Sequence, residues 1–405
     1  MDLSARLARY AASAPRPFLV DVPGGARTRM VVDGELRRRG WFEADAPTSA
    51  DLLVVCGDPG TDLAGGVHTA WEDVPGPRAR AWLPSDASVA AVRGALDRAV
   101  AELADIGAQR DQAMARAAAG PWRPGEEPVH HGGHDEHGTH GHHMEGMHGH
   151  HMMGAPGGLA MADRAPDRDG LKLDVLRVPL GPVLRDWPAG LKVTLTLQGD
   201  VVQAAEVHVL AGGPGSAAGF WDEPWRAAAR GEAVTRGEAE RRRAAAHLDS
   251  LARFLGVAGW RDQAGRARVL RDAVLAGGDV SGFGRFAHRT ARSRPLRWMT
   301  RKVGEIDPAT VTRYGLTGPV ARRPGDVAAR VTGWLTEIRE ALAAMDDPTP
   351  LDDDEGPRGP VGREPSARLL AALPSLLDGA ELAAARLIVA SLDPDITQVT
   401  AMTHG

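Results

Sequence analysis

The decisive stretch is Asp51-Leu52-Leu53-Val54-Val55-Cys56-Gly57. An unbroken apolar run closed by glycine reads as a strand covered on both faces, the kind a parallel sheet buries between helices. Pro17-Phe18-Leu19-Val20-Asp21-Val22, closed by Pro23-Gly24, reads the same way, and Ala79–Leu83 offers a third strand. Val89, Val92, Leu96, Val100, Leu103 and Ile106 recur at helical spacing behind Ser85 and Asp86. That pattern predicts one long amphipathic helix to about residue 118, stopped by Gly120-Pro121. The alternation of strand and helix predicts an α/β domain with a parallel, flavodoxin-like sheet over residues 1–119.

Residues 120–170 change character, with Pro, Gly, His and Met replacing anything that could enter a core, and are expected to be a disordered linker. A second domain, residues 171–405, opens with a hairpin. Leu191-Lys192-Val193-Thr194-Leu195-Thr196-Leu197 and the run from Val201 to Leu210 alternate around Gln198-Gly199-Asp200. Helical patterns follow. Ala244, Leu248, Leu251 and Leu255 share one face of a helix that ends at Gly256 or Gly259, and Val327, Val331, Trp334, Ile338 and Leu342 define another. Pro365-Ser366 starts a third, and Gly379 separates it from a last helix through Ala390. The acidic residues 346–355 read as a solvated loop. The second domain is therefore expected to be α+β and mainly helical.

Composition narrows the function. With 405 residues and 43% apolar content the chain can bury an ample core. Lys and Arg number 48 against 53 Asp and Glu, so the net charge of -5 predicts no general pull toward nucleic acid or anionic lipid. Only three of the 48 bases are lysine, a bias that fits a GC-rich genome, and no function is read into the arginines. The N-terminus lacks a secretory pattern and no run of 18 apolar residues exists, which predicts a cytoplasmic protein without direct membrane insertion. One cysteine, Cys56, cannot make an intrachain disulfide or the multi-thiolate ligand set of an iron–sulfur cluster.

The strongest chemical signal is a histidine cluster: His130, His131, His134, His137, His140, His142, His143, His148, His150 and His151, ten of fifteen histidines within 22 residues. Neutral imidazole binds nickel, zinc and copper, and Met144, Met147, Met152 and Met153 add soft thioethers. The interspersed glycines leave no fixed geometry, so metal handling is expected here and catalysis is not. Gly212-Gly213-Pro214-Gly215 lacks the lysine and spacing of a phosphate loop and reads as a surface loop. Cys56 reads as a small buried hydrophobe, and His247 and His288 as structural.

The tail from Gly379 through Leu392-Asp393-Pro394-Asp395-Ile396-Thr397-Gln398 resembles the C-terminus of the large subunits of nickel–iron hydrogenases and of the quinone-pocket subunit of respiratory complex I. In hydrogenases the matching Asp-Pro-Cys-x-x-Cys supplies nickel thiolates; Asp395 and Gln398 stand at those two positions. The hairpin from Leu180-Gly181-Pro182 to Gly199-Asp200-Val201-Val202 is similar to the opening hairpin of the same subunits, and residues 247–259 to their first long helix. Val183-Leu184-Arg185-Asp186 replaces the histidine-containing quinone loop. Residues 51–78, with Val74-Pro75-Gly76-Pro77-Arg78, resemble the small, cluster-carrying subunit, where Pro23-Gly24-Gly25 and Pro84-Ser85-Asp86 occupy the places of cysteines.

The resemblance implies a fusion of the small and large subunits of a complex I-like or hydrogenase-like module without its redox ligands. It implies membrane subunits as partners, a peripheral place on the inner face of the plasma membrane and, were an activity retained, that of an NADH-quinone oxidoreductase or hydrogenase subunit. No catalytic and no redox-cofactor residue is identified, and no nucleic-acid partner is expected. Two alternatives stand beside this reading: a nickel, zinc or copper handling or maturation protein acting through the histidines, and an enzyme with a new site between the domains.

Overall fold

The computed structural model describes residues 3–120, 164–166, 172–213 and 219–400. The N-terminal lobe comprises α1 (Leu3–Ala11), β1 (Pro17–Asp21), α2 (Ala26–Arg39), β2 (Leu52–Cys56), α3 (Gly60–Asp73), β3 (Ala79–Leu83), α4 (Val89–Ala104) and α5 (Ile106–Ala119). Its three strands are parallel, in register Pro17–Leu52 and Leu52–Ala79. Because side chains alternate along a strand, β1 and β2 feed two cores. Leu19, Leu52 and Val54 meet Val32 and Leu36 of α2 and Val92 and Leu96 of α4. Phe18, Val20, Leu53 and Val55 meet Leu63, Val67 and Trp71 of α3 on the other face.

Two expectations need correction here. The sheet runs β1-β2-β3 in sequence order, whereas a flavodoxin-like sheet places its second strand outside the first; strand composition fixes direction and burial but not neighbours. The single long helix is two. Asp105 leaves helical geometry, and its carboxylate accepts from the N–H groups of Gly107 and Ala108, starting α5 afresh.

The second lobe begins within the expected linker, since β4 (Arg164–Pro166) pairs antiparallel with β5 (Lys172–Leu180). β6 (Leu191–Gln198) and β7 (Val201–Val209) then form the expected hairpin, with a bulge at Thr196/Leu197. Leu191, Val193, Leu195 and Leu197 of β6 belong to the same core as Leu248, Leu251 and Leu255. Helices α6 (Glu223–Ala229), α7 (Arg236–Val257), α8 (Arg261–Leu275), α9 (Phe283–Arg292), α10 (Arg294–Thr300), α11 (Pro308–Tyr314), α12 (Gly318–Arg322) and α13 (Val327–Ala344) follow. The short pair β8 (Glu355–Gly356) and β9 (Gly359–Pro360) precedes α14 (Pro365–Leu377), α15 (Leu382–Leu392) and α16 (Ile396–Thr400).

Helix α7 is the axis of this lobe, packed against α8, α13 and α15. It starts at a capping box of Thr235 and Glu238, two orphan donors satisfied reciprocally. The C-terminal segment is sewn to the hairpin by Val202 N–H to Ala380 O and Leu382 N–H to Asp200 O, which sets residues 393–398 at the end of α7 nearest the first lobe. No helix among the described residues is long and apolar enough to cross a membrane.

Candidate functional site

The ends of the strands in the first lobe face the second lobe, and the joint between them is ionic. Arg29 of α2 donates to Asp21 at 2.8 Å, to Asp33 at 3.0 Å and to Glu43 at 3.2 Å. Asp33 in turn accepts from Arg271 of α8 at 3.1 Å. Arg271, 1% exposed, also grips Asp249 of α7 at 2.6 Å and Asp272 at 2.8 Å. Arg268 pairs with Asp186, and Arg185 reaches Glu43 at 3.5 Å and Asp45 at 2.6 Å. The chain of contacts continues from Asp249 to Arg253 at 3.1 Å, and from Arg253 to Asp393 at 3.0 Å. Arg358 donates through Nη2 to the Asp393 carboxylate at 2.6 Å and through Nε to its carbonyl at 2.8 Å, while Ser250 Oγ donates to the same carboxylate.

Alternation of sign makes this burial tolerable. Burial alone would discharge Asp33, yet Arg29, Arg268 and Arg271 hold it well below the usual carboxylate range. Burial likewise opposes the charge of Arg271 and Arg253, and the aspartates around them raise both above an ordinary guanidinium. Glu43 goes the other way: burial raises its pKa despite Arg29, Arg268 and Arg185. The cavity among Asp21, Asp33, Asp186, Asp249 and Arg271 measures about 70 Å³, room for roughly two waters and far below the roughly 300 Å³ of a small-molecule pocket; a separate, open cleft of about 1160 Å³ is lined by Arg37, Phe42 and Glu43 of the first lobe and Arg185, Arg261 and Arg289 of the second. The walls of the small cavity are spent on each other.

The strand ends do not fit an iron–sulfur cluster. Val22 N–H donates to Cys56 O, Gly57 N–H to Leu83 O and Gly25 N–H to Val22 O, so the three loops bond directly to one another. A Cβ on Gly25 would lie 2.0 Å from Cys56 O. Thr28 Oγ1 donates to Pro84 O and accepts from Ala87 N–H, closing the segment Pro84-Ser85-Asp86 onto α2. Cys56, the one thiol, is fully buried, and burial with Asp21 beside it pushes its pKa well up, away from the thiolate a metal needs.

The tail positions carry no soft donors. Asp395 accepts from the N–H and hydroxyl of Thr397. Gln398 accepts from Ser366 Oγ at 2.5 Å and donates to Asp222 Oδ2 at 2.7 Å. Burial and the nearby charge of Asp395 push Asp222 up, and its Oδ1 has no hydrogen-bond partner among the described residues. The segment Val183-Leu184-Arg185-Asp186 is fixed by Arg268 and by the close approach of Asp186 to Gly256, where a Cβ would lie 2.2 Å from Oδ2. Gly256, near the end of α7, is thus required by the approach of Asp186 from the loop between β5 and β6.

The ten histidines from His130 to His151, and the methionines among them, lie outside the described residues. His247 is buried and meets Glu337 at 3.2 Å. Burial holds His247 below its ordinary value, while Glu337, buried too, is drawn down to about 2 by hydrogen bonds from His247 and Arg322. His288 is exposed on α9. Gly213 departs from the surface-loop expectation: it is buried, and its N–H donates to Asp58 O at 2.8 Å. The interlobe arginines are what sequence reading passed over. The available signal was local, the i,i+4 pairs Arg29–Asp33 and Asp249–Arg253 within otherwise apolar helical stretches.

No protein-family model matches the chain, and no curated protein matches it. Among solved structures it is similar to a chain of the membrane-bound sulfane sulfur reductase, an archaeal respiratory membrane complex, over 55% of this chain and 98% of that one. The identity is 16% and the TM-score 0.39. The likeness is distant.

Proposed function

We propose that the chain is a non-catalytic component of a complex I-like or hydrogenase-like membrane redox assembly, docked on membrane subunits at the cytoplasmic face. One observation carries the reading. The joint where the resemblance would place electron carriers is a closed lattice of arginine and carboxylate around Arg271 and Asp33, with a cavity too small for a substrate. Such a joint holds two lobes in one orientation and offers a partner a rigid composite surface.

The experiment is affinity purification of the intact chain from its native membrane. Membrane subunits are expected to co-purify, and to do so after deletion of residues 129–153. A chain recovered alone, or one that turns over hydrogen or a quinone unaided, contradicts the proposal. The concentration of histidines at residues 130–151 supports a second reading, metal handling or maturation with nickel, zinc or copper. That reading expects the same deletion to abolish function while both lobes stay folded.

A further inference from the structure

The chain is acidic as a whole, with a net charge of -5, yet residues 283–302 contain seven Arg or Lys and no Asp or Glu. Helices α9 and α10 explain how the fold uses them. Phe283, Phe286, Ala287 and Leu296 turn inward to the core, and every one of the seven cations is exposed. None of them forms an ion pair with a carboxylate among the described residues. The contrast with the interlobe joint is sharp, because each arginine there ends on a carboxylate. On α10 stands Trp298, 82% exposed, with Arg294 one turn before it on the same helix face and Arg301 just past the helix end.

A face of one sign needs an anion from outside. Protein interfaces usually mix signs, since opposite pairs fix the register of docking. Seven like charges without an acid suit a target that is itself uniformly negative. A nucleic-acid strand would call for a row of aromatics on which successive bases stack, whereas Trp298 is the exposed aromatic of α9 and α10 and Trp260, beside Arg289, is partly buried against the core. A tryptophan among arginines is instead the pattern of groups that settle at the headgroup level of a bilayer. The overall negative charge does not oppose this, because screening confines the attraction to charges within about 8 Å of the surface.

We propose that the α9–α10 face is a peripheral membrane-binding surface that adsorbs to anionic phospholipid headgroups, with Trp298 seated among them. Arg285 and Arg289, at the near edge of this face, share an open cleft with Glu43 and Arg185, and the proposal stands independently of the function proposed above. It also revises the expectation that composition excludes attraction to anionic lipid: averaging over 405 residues hides what the fold segregates.

The test is co-sedimentation of the full chain with vesicles of phosphatidylglycerol and phosphatidylcholine at physiological ionic strength, beside vesicles of phosphatidylcholine alone. Binding is expected only to the first and is expected to weaken steeply with salt. R294Q/R297Q should lower the partition coefficient about 30-fold, since each cation near an anionic surface contributes roughly fivefold. W298A should lower it as well, and R230Q, a change at an exposed arginine that pairs with Glu232, should leave it unchanged. All these side chains are exposed, so circular dichroism and melting should match the parent. Absence of binding to phosphatidylglycerol, binding that R294Q/R297Q does not reduce, or capture by polyglutamate or duplex DNA without capture by vesicles would overturn the proposal.

Discussion

Arg271 Nη2 lies 3.1 Å from Asp33 Oδ2, an ion pair between residues 238 apart in sequence that joins α8 to α2 and so one lobe to the other. Arg271 is also among the largest fully buried side chains of the molecule. A guanidinium in that position is stable only because three carboxylates surround it, Asp33, Asp249 and Asp272. Removing it takes a cation from buried Asp33 and from the partly buried Asp249 and Asp272.

R271M is therefore expected to cost about 3–5 kcal/mol, the usual penalty for breaking a buried pair from one side. The D33N/R271M double variant should cost less than the sum of its singles by at least ~1 kcal/mol, because the two changes remove opposite charges from one network. Urea unfolding monitored by circular dichroism measures both. Additive losses, or an R271M midpoint equal to that of the parent, contradict the role assigned to this pair.

Acid sensitivity should have an identifiable contribution from Glu337. Its folded value, about 2, is depressed below the ~4.3 of an ordinary glutamate, so its stabilisation is complete above pH ~4.5 and is lost as pH falls toward about 2. The difference corresponds to on the order of 3 kcal/mol. E337Q should lower stability at pH 7 and flatten the dependence between pH 5 and pH 2. An unchanged slope in the variant would show that the pair with His247 and Arg322 does not carry this loss.

Two glycines test whether the strand ends are as closed as they look. Gly25 has ordinary backbone angles, φ -83° and ψ 4°, so an alanine there is opposed only by Cys56 O, 2.0 Å from the new methyl. G25A should cost roughly 1–3 kcal/mol, as overpacking does. Gly65, inside α3 with nothing within 4 Å of a built Cβ, should gain about 0.5–1 kcal/mol on G65A. Thermal melts of the two variants should move in opposite directions. Equal shifts would mean that the β1 and β2 ends have room to spare.

Much of the fold was legible because it follows from periodicity. The continuous apolar runs at β1 and β2 announced strands buried on both faces, and Leu248, Leu251 and Leu255 announced the inner face of α7; all are buried as that pattern requires. The break at Asp105 was legible in hindsight, since an aspartate two residues before Gly107 is an N-cap signal hidden inside an uninterrupted apolar period. The strand order was not legible, because neighbours in a sheet are chosen by packing and not by any feature of one strand. The ionic joint was hidden for a different reason. Arg271 finds Asp33, and Arg358 finds Asp393, across long stretches of chain, and an ion pair leaves no period in the sequence that could reveal it.

Cys56 should behave as a core residue. Its burial and raised pKa predict no reaction with a thiol reagent in the native protein at neutral pH, and one thiol per chain after denaturation in guanidinium. Rapid native labelling would show that the end of β2 opens to solvent.

The most direct measurement is the iron and acid-labile sulfide content of the intact chain purified anaerobically from its native membrane, read together with its visible spectrum. Neither element in stoichiometric amount, and no broad charge-transfer band, is the result expected of a joint built from arginine and aspartate around a single buried thiol. Stoichiometric sulfide with matching iron would contradict that account.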